Sequence, residues 1–444
     1  MASVAVVVVA ADRGHFNWSL PLAEALVTDD VVQKVEYWTS EESQPWLGGG
    51  LPPQVTLGGS TGSFSQTKKL VDVFTELSSS GDTDEEGGRA LEEHFAQEVQ
   101  RRGVAPTLEE ALSKTTPPQE VQDALLHRLK MRDVAIVVYE QTWCSWAEAV
   151  AQKAAVPSIA FQPSYIDVFR HSAGCPPRAF QQTFNFGSEG MVYTLASCLR
   201  RHAPVPAGRH AVGAILPRRR SLAAALRSED QDQELLTWLN LDGPPVVYCS
   251  LGSHMLSRVL GPGSLTALVK GLLAVPCRVL FVLSKTAREF ADADSWCVNG
   301  SQGPQDPEFA KLAVEEKVKL PEWVNQPAVL AHHSTSLFLS HCGANSLHEA
   351  LACGRPILAL PFFDDQYYNA AALVEAGCAL RIAKRPVEAQ QVTAAVKKLL
   401  SPDAKLAAEK LQQELVAEDG TLQAAKWVAH VIAHGNACAD PLDP

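Results

Sequence analysis

Between residues 323 and 366, polar side chains recur where short apolar segments end. Trp323 offers a flat indole face near the Gln326 amide, and this pair suits a flat ring with polar edges such as uracil. The segment 337–340 (LFLS) predicts a buried parallel strand, and the small-residue turn 341–343 (HCG) follows it. Because a helix is predicted to begin at Ser346, free backbone N–H groups and the positive helix end would favour a diphosphate at this turn.

Further polar groups stand where the hydroxyls of a bound sugar nucleotide would need partners. Glu349 lies three residues beyond Ser346, one turn into the predicted helix, where a carboxylate can accept hydrogen bonds from ribose hydroxyls. A second predicted strand, 356–361 (PILALP), leads to Asp365 and Gln366. Ligands of open α/β sheets bind outside the carboxyl ends of the strands, so the spacing predicts one pocket for a nucleotide and its sugar.

This stretch resembles the signature of the UDP-dependent glycosyltransferases, a two-domain family that transfers sugars from UDP-sugars to small, often apolar acceptors. The match has no gap and includes Trp323, Gln326, His332, His341, Cys342, Gly343, Asn345, Ser346, Glu349, Gly354, Pro356, Pro361, Asp365, Gln366 and Asn369. The resemblance implies a donor-binding set of Ser253, Trp323, Val324, Gln326, His341, Gly343, Asn345, Ser346, Glu349, Asp365 and Gln366.

The resemblance also implies what these groups do. Trp323 would stack on uracil, and Gln326 with Glu349 would hold the ribose. The diphosphate would lie against His341, Asn345 and Ser346, next to Ser253, which follows another predicted strand. Asp365 and Gln366 would hold the sugar, in the version of this pair that is associated with glucose donors.

We expect no metal and no other cofactor at this site. Asp364 and Asp365 could suggest an acidic metal-binding pair, but they open a predicted helix, where the dipole favours carboxylates anyway. His332 and His333 have no third ligand at zinc spacing, so we expect them to lie at a helix end.

The first half of the chain contains a candidate general base. After a predicted strand at 4–10, the sequence RGHFN is similar to the family's Gly-His turn, which gives this role to His15. In an inverting transfer, a neutral imidazole takes the proton of the acceptor hydroxyl as the new bond forms. Glu140 ends the predicted strand 134–140 where many relatives have aspartate, and its carboxylate could orient the imidazole. Trp18, where relatives usually have proline, is expected to wall the acceptor site.

Alternating strand and helix patterns predict an α/β chain with two Rossmann-like domains that face a cleft, which is the GT-B architecture of the family. The acceptor-binding domain is expected at 1–220 and the UDP-sugar-binding domain at 234–420, with a linker at 221–233. A closing helix at about 421–438 is expected to pack back on the first domain, as it does in relatives.

The composition of the chain limits the kinds of binding partner and the cellular compartment that we expect. The net charge of −12 argues against nucleic acid or an anionic membrane as a general partner. The ten cysteines are scattered without a CxxC pair, which is typical of thiols in a reducing compartment and favours the cytoplasm. Nothing near the C-terminus approaches the roughly 20 apolar residues that a membrane helix needs, so we expect no stable membrane anchor. We also expect a monomer.

Three classes of function fit these observations. The leading hypothesis is an inverting transferase that moves a sugar, most simply glucose, from a UDP-sugar to a hydroxyl of a small lipophilic or phenolic acceptor. An epimerase of UDP-sugars on the same fold would need the donor alone. A non-catalytic UDP-sugar-binding protein is the third, because Glu140 replaces the aspartate of relatives and could merely cap a turn. A nicotinamide dehydrogenase is disfavoured, since the first strand leads to ADRGH and not to GxGxxG.

Overall fold

In a computed structural model of the protein, the described residues are 3–10, 16–47, 51–65, 69, 97–103, 116–163, 191–200, 205, 208–217, 232–252, 264–283, 317–362, 365–383 and 386–435. They divide into two compact units. The first unit contains the residues up to 217 together with 417–435, and the second contains 232–416. His15, Ser253 and residues 221–231 of the predicted linker lie outside the described residues.

A parallel sheet of seven strands forms the centre of the first unit, in the order β3-β2-β1-β4-β5-β6-β7. These strands are β1 (Val4–Val9), β2 (Lys34–Thr39), β3 (Val55–Ser60), β4 (Val134–Glu140), β5 (Ser158–Gln162), β6 (Val192–Tyr193) and β7 (His210–Ala211). Every residue of β1, VAVVVV, is buried, because this strand has a neighbour on each side and cover on both faces.

The described α-helices of the first unit are α1 (Ser19–Thr28), α2 (Gln119–Leu129), α3 (Gln141–Cys144), α4 (Trp146–Ala154) and, at its chain end, α12 (Gly420–His434). Leu22 of α1 and Trp427 of α12 share one buried apolar cluster with Ile136 of β4, so both helices cover the same face of the sheet. Thr421 also exchanges two hydrogen bonds of 2.9 Å with the backbone of Leu216. The closing helix expected at 421–438 is therefore α12, and it belongs to the first unit.

The second unit has a parallel sheet of six strands in the order β10-β9-β8-β11-β12-β13. Its strands are β8 (Val246–Ser250), β9 (Arg278–Phe281), β10 (Val318–Lys319), β11 (Thr335–Ser340), β12 (Ile357–Ala359) and β13 (Ala379–Arg381). Its described helices are α5 (Asp232–Leu239), α6 (Ser264–Leu273), α7 (Gln326–Ala331), α8 (Ala344–Ala352), α9 (Asp365–Glu375), α10 (Ala389–Leu399) and α11 (Pro402–Glu418). Residues 232 and 233, expected at the end of the linker, are the first residues of α5.

Each sheet has a topological switch point, where strand addition changes direction: successive strands are added on one side of a central strand and then on its other side. β1 lies between β2 and β4, and β8 lies between β9 and β11. In Rossmann-like sheets, ligands bind outside the carboxyl ends of the strands at this point. In the second unit the two strands concerned end at Ser250 and Ser340, and in the first unit they end at Val9 and Glu140. The fold thus brings the residues that follow these four ends into the positions where a ligand is expected.

The described residues also bear on the expectations about membrane helices and disulfides. Among the helices that the structure describes, none combines the length and the hydropathy needed to cross a bilayer. The seven described cysteines form no disulfide with one another.

Candidate functional site

The Gln326 side chain is the centre of a hydrogen-bond network that joins three elements of the second unit. Its Nε2 donates to Glu349 Oε2 at 2.7 Å and to Ser346 Oγ at 3.1 Å, both on α8. Its Oε1 accepts a hydrogen bond of 3.1 Å from the hydroxyl of Tyr248 on β8. The structure therefore brings together three of the residues that the sequence predicted to share a site, and it adds Tyr248.

Glu349 is a carboxyl group in an unusual environment. It is partly buried on the first turns of α8. Burial raises its pKa to about 7, although the hydrogen bond from Gln326 acts in the opposite direction. The raised pKa means that burial removes water from around the carboxyl group. Hydroxyl groups of a ligand could donate the hydrogen bonds that water would otherwise make to its oxygens.

Trp323 stands just before this network in the chain. Its side chain is 57% exposed, whereas the next residue, Val324, is 5% exposed and anchored in the core of the unit. A large apolar side chain with this much exposed surface has a face available to a flat partner. The arrangement fits the stacking role that the resemblance implies for Trp323.

The N-terminus of α8 provides backbone donors at the carboxyl end of β11. Gly343 is the N-cap with φ −63° and ψ 139°, and as a glycine it has no side chain with which to cap the helix. The helix begins at Ala344 and not at Ser346, so Asn345 and Ser346 lie in its first turn. The prediction of the helix start was wrong by two residues, because glycine at the cap offers no side-chain signal. Backbone N–H groups at a positive helix end suit an anion.

The His341 ring lies against two glycines. A methyl group added to Gly343 would stand 2.6 Å from His341 Nε2, and one added to Gly252 would stand 3.0 Å from the same atom. Gly252 also has φ +92°, a conformation that favours glycine. Both glycines thus leave space for the imidazole at the point where strand addition changes direction.

Gly343→Ala tests this close approach. We expect the methyl group to displace the His341 ring and to lower the free energy of unfolding by about 1–3 kcal/mol, as overpacking does. Urea unfolding of the second unit measures the change. In a His341→Ala background the same substitution should cost much less, because the ring that it meets is gone. Equal costs in both backgrounds would show that the glycine serves another purpose.

The turn that carries His341 is held in a backbone conformation that is uncommon outside glycine. Cys342 has φ +70° and is buried. Its N–H donates to Ser340 Oγ at 3.1 Å, and its carbonyl accepts from Nδ2 of the buried Asn369 on α9 at 3.1 Å. These two bonds fix the turn from both sides, which explains what Asn369 contributes among the matched positions.

The pair predicted to hold the sugar lies at the start of α9. Asp365 is the first residue of the helix and is partly buried. Gln366 is 5% exposed, and its Oε1 accepts the N–H of Phe362 at 2.9 Å. The amide oxygen of Gln366 therefore holds the segment after β12, and a contact of this pair with a sugar stays a prediction.

In the first unit, Glu140 is a fully buried carboxylate at the end of β4. Its Oε1 accepts the N–H of Thr142 at 2.7 Å, and its Oε2 accepts the N–H of Trp143 at 2.8 Å. Glu140 is thus the N-cap of α3. The capping role that the sequence left open is present. Each oxygen of the Glu140 carboxylate has a second lone pair, so the carboxylate can accept further hydrogen bonds while it caps α3.

Trp18 lies in the apolar core and not on an open surface. It is 1% exposed, and its ring stacks on Phe161 of β5 with the centroids 5.0 Å apart. The expectation that it walls an acceptor site rested on its position in the sequence, which does not say where the side chain points. We therefore leave Trp18 out of the proposed site.

The remaining predicted residues have simple structural positions. His332 is the C-cap of α7, with Nδ1 2.8 Å from Ser334 Oγ and Nε2 3.3 Å from Asn240 Oδ1. Among the described residues, no group of three or more His, Cys, Asp or Glu is arranged to hold a metal ion. His15 and Ser253 lie outside the described residues. Tyr248 was missed, although a tyrosine in the apolar strand VVYCS signals a buried hydroxyl that needs a partner.

Known structures share this architecture along nearly the whole chain. UGT71G1 of Medicago truncatula, solved with UDP-glucose, has a TM-score of 0.65 at 17% identity and covers 97% of this chain and 98% of its own. UGT89C1 of Arabidopsis thaliana, solved with quercetin, has a TM-score of 0.66 at 15% identity and covers 97% and 100%. At these identities the likeness shows the fold, which is the α/β GT-B architecture with two Rossmann-like domains.

Sequence comparison finds relatives for the second half of the chain. Residues 223–435 match the family model of "UDP-glucoronosyl and UDP-glucosyl transferase". The rice UDP-glycosyltransferase CGT (Oryza sativa subsp. japonica) is 35% identical over 170 residues, which are 38% of this chain and 33% of the rice protein. The match thus spans about a third of the length of that relative. This part of the chain is thus similar to the UDP-glycosyltransferases.

Proposed function

We propose that the protein is an inverting glycosyltransferase that moves a sugar, most simply glucose, from a UDP-sugar to a hydroxyl group of a small lipophilic or phenolic acceptor. The observation that carries this proposal is the network of Gln326 with Glu349 and Ser346, next to the exposed Trp323. Together with the N-terminus of α8, it offers partners for a base, a ribose and a diphosphate within one unit.

In the proposed reaction, the acceptor hydroxyl gives its proton to the neutral imidazole of His15 while its oxygen attacks the anomeric carbon. The bond between that carbon and the diphosphate oxygen breaks, and UDP leaves with the electron pair. The negative charge that develops on the diphosphate is stabilised by the backbone N–H groups at the start of α8, near His341. Stabilisation by these fixed donors requires no divalent ion.

Glu140 is proposed to orient His15 in addition to capping α3. β1 and β4 flank the point where strand addition changes direction, and His15 follows β1 in the sequence while Glu140 ends β4. The register pairs Glu140 with Phe161, so both side chains lie on the sheet face that Trp18 covers at the start of α1. Trp18 is three residues from His15 in the sequence. These relations support a carboxylate–imidazole contact.

Substitutions of Glu140 separate its two roles. Glu140→Ala should lower turnover about tenfold or more through loss of the oriented base, and lower the free energy of unfolding by about 1–2 kcal/mol through loss of the cap. Glu140→Asp retains a carboxylate and should keep substantial activity. Turnover and urea unfolding measure the two effects, with Glu120→Ala, an exposed carboxylate of α2, as the control. If Glu140→Ala loses stability but keeps the parent's turnover, Glu140 is a cap and nothing more.

The acceptor class is proposed from solved structures with the same architecture. UGT89C1, one of the solved structures with this architecture, was solved with quercetin, a phenolic compound, and UGT71G1 with UDP-glucose. We therefore propose phenolic hydroxyl groups as the first acceptors to test and UDP-glucose as the first donor.

The decisive experiment incubates the purified protein with UDP-glucose and a panel of flavonoids, simple phenols and sterols, in the presence of a metal chelator, and detects glycosides by mass spectrometry. Glycosides formed in chelator would establish the metal-independent transfer. Binding of UDP-glucose without any product would favour a binding protein, and conversion of UDP-glucose to another UDP-sugar without acceptor would identify an epimerase. Absence of both binding and product would overturn the proposal for this donor.

A further inference from the structure

The orientation of the Gln326 amide decides what this side chain offers to its neighbours. An amide has a donor end and an acceptor end of similar size, so it can face its surroundings in two ways. In the structure the NH₂ group faces Glu349 and Ser346, and the oxygen faces Tyr248. In the reverse orientation the amide oxygen would face a carboxylate oxygen at 2.7 Å, and two acceptors at that distance repel each other.

The Tyr248 hydroxyl is a hydrogen-bond donor whose position is fixed by the packing of its ring. It is 1% exposed, and its ring stacks on Phe338 of β11 with the centroids 5.2 Å apart and the planes within 9°. Burial raises the pKa of its hydroxyl well above the ordinary value, so the group keeps its proton across the working pH range. Because β8 and β11 are central neighbours in the sheet, the position of the hydroxyl is set by the rigid part of the unit.

We propose that Tyr248 is a positioning residue of the donor site, whose hydroxyl fixes the Gln326 amide so that its NH₂ group holds Glu349 and Ser346 in place for the ribose. This inference rests on the proposed function, because the ribose of a UDP-sugar is the ligand that the positioned groups would meet. Tyr248 acts through Gln326, and its own buried hydroxyl is not offered to the ligand.

The effect should appear in donor binding and not in the chemical step. Tyr248→Phe removes one hydroxyl and leaves the stacked ring, so the amide loses one of the partners that hold it in this orientation, while Glu349 and Ser346 remain. Loss of one such hydrogen bond corresponds to a Kd for UDP-glucose that is about 3- to 10-fold higher. We expect KM for UDP-glucose to rise by a similar factor, while kcat at saturating donor stays within about twofold.

A matched control exists in the first unit. Tyr37 is also fully buried, and its hydroxyl donates to Ser19 Oγ at 3.1 Å, so Tyr37→Phe removes an equivalent buried hydrogen bond. This variant should leave the Kd for UDP-glucose unchanged, because the donor-binding residues belong to the second unit. A loss of affinity in both variants would mean that general destabilisation explains the effect, and it would overturn the inference.

A double-mutant cycle tests whether Tyr248 acts through Gln326. Calorimetry with UDP-glucose is carried out on Tyr248→Phe, Gln326→Ala and the double variant. We expect the double variant to bind as Gln326→Ala does, because the amide that Tyr248 orients is absent. A further loss of the full factor in the Gln326→Ala background would overturn the inference. The cycle also subtracts any loss of stability that Tyr248→Phe causes by itself.

The outcomes distinguish this inference from the proposed function. If the parent protein binds neither UDP-glucose nor UDP, the proposed function fails and the inference fails with it. If the parent binds UDP-glucose and Tyr248→Phe binds it equally well, the inference alone is wrong. A Kd raised in Tyr248→Phe, unchanged in Tyr37→Phe and not additive with Gln326→Ala supports both.

Discussion

Replacing His15 by alanine is expected to lower the turnover of sugar transfer about 10²- to 10⁴-fold, the usual contribution of a positioned general base. Without the imidazole, the acceptor oxygen must attack while it still holds its proton, or lose the proton to water. The Kd for UDP-glucose should not change, because the described donor-binding residues lie in the second unit and His15 is in the first half of the chain.

The measurement is the initial rate of glycoside formation at saturating UDP-glucose, together with calorimetry of UDP-glucose binding. His127→Ala provides the matched control, since His127 is an exposed histidine on α2 of the same unit. Turnover of His15→Ala within about threefold of the parent would show that another group takes the proton.

The pH dependence of His15→Ala gives a second, independent result. With a phenolic acceptor, whose pKa resembles the value of about 10 for tyrosine, the rate of the variant should rise with pH as the acceptor ionises by itself. The rate of the parent should depend less on pH, because its imidazole takes the proton of the acceptor during the reaction. Parallel profiles for both proteins would contradict a general base at His15.

Much of this architecture could be predicted because its physical causes are local in sequence. VAVVVV is a fully apolar run of β-branched residues, as a strand buried on both faces requires, and the structure places it at the centre of a parallel sheet as β1. The segment 134–140 was predicted as a strand and forms β4 over the same residues. Ser346 and Glu349 were placed by the same logic, because they follow the end of the predicted strand 337–340.

Contacts between distant segments could not be predicted in this way. Tyr248 and Gln326 are 78 residues apart, and no local pattern links a tyrosine in an apolar strand with an amide at a helix start. The role of Gly343 and Gly252 in making room for His341 is likewise visible only when the three are brought together. Such partners depend on the packing of the unit and not on the composition of one segment.

Side-chain direction was the other limit. The sequence placed Trp18 beside the predicted catalytic turn, but α1 turns its indole toward Phe161 and the core. The sequence placed Glu140 at a strand end, but not its two bonds to the backbone of α3. In both cases a correct position along the chain left the contacts of the side chain undetermined.

Glu349→Gln is expected to make the fold more stable and the donor site weaker. Burial raises the pKa of Glu349 to about 7, from an ordinary value of 4.5. As the pH rises above 4.5, the unfolded chain releases this proton first, so the folded state loses stability relative to the unfolded state until the pH passes about 7. Above that pH the full cost is present, and it amounts to at most about 3 kcal/mol.

Glutamine keeps the size of the side chain and can still accept the hydrogen bond from Gln326, but it carries no charge that burial would penalise. The variant should therefore be more stable than the parent at pH 8 by about 1–3 kcal/mol, with a much smaller difference at pH 5. Urea unfolding, followed by hydrogen exchange of peptides across β11 and α8, measures the second unit separately from the first. Glu388→Gln, an exposed carboxyl of the same unit, should change stability little at either pH.

Donor affinity should change in the opposite direction. A carboxylate that accepts ribose hydroxyls makes charge-assisted bonds, and their loss corresponds to about 10- to 100-fold weaker binding of UDP-glucose. One substitution would then raise the free energy of unfolding and lower the affinity for UDP-glucose. This is the pattern of a residue that serves binding and destabilises the fold. If Glu349→Gln were less stable than the parent at pH 8, the carboxylate would be a structural group, and the ribose would have to find its acceptor elsewhere in the second unit.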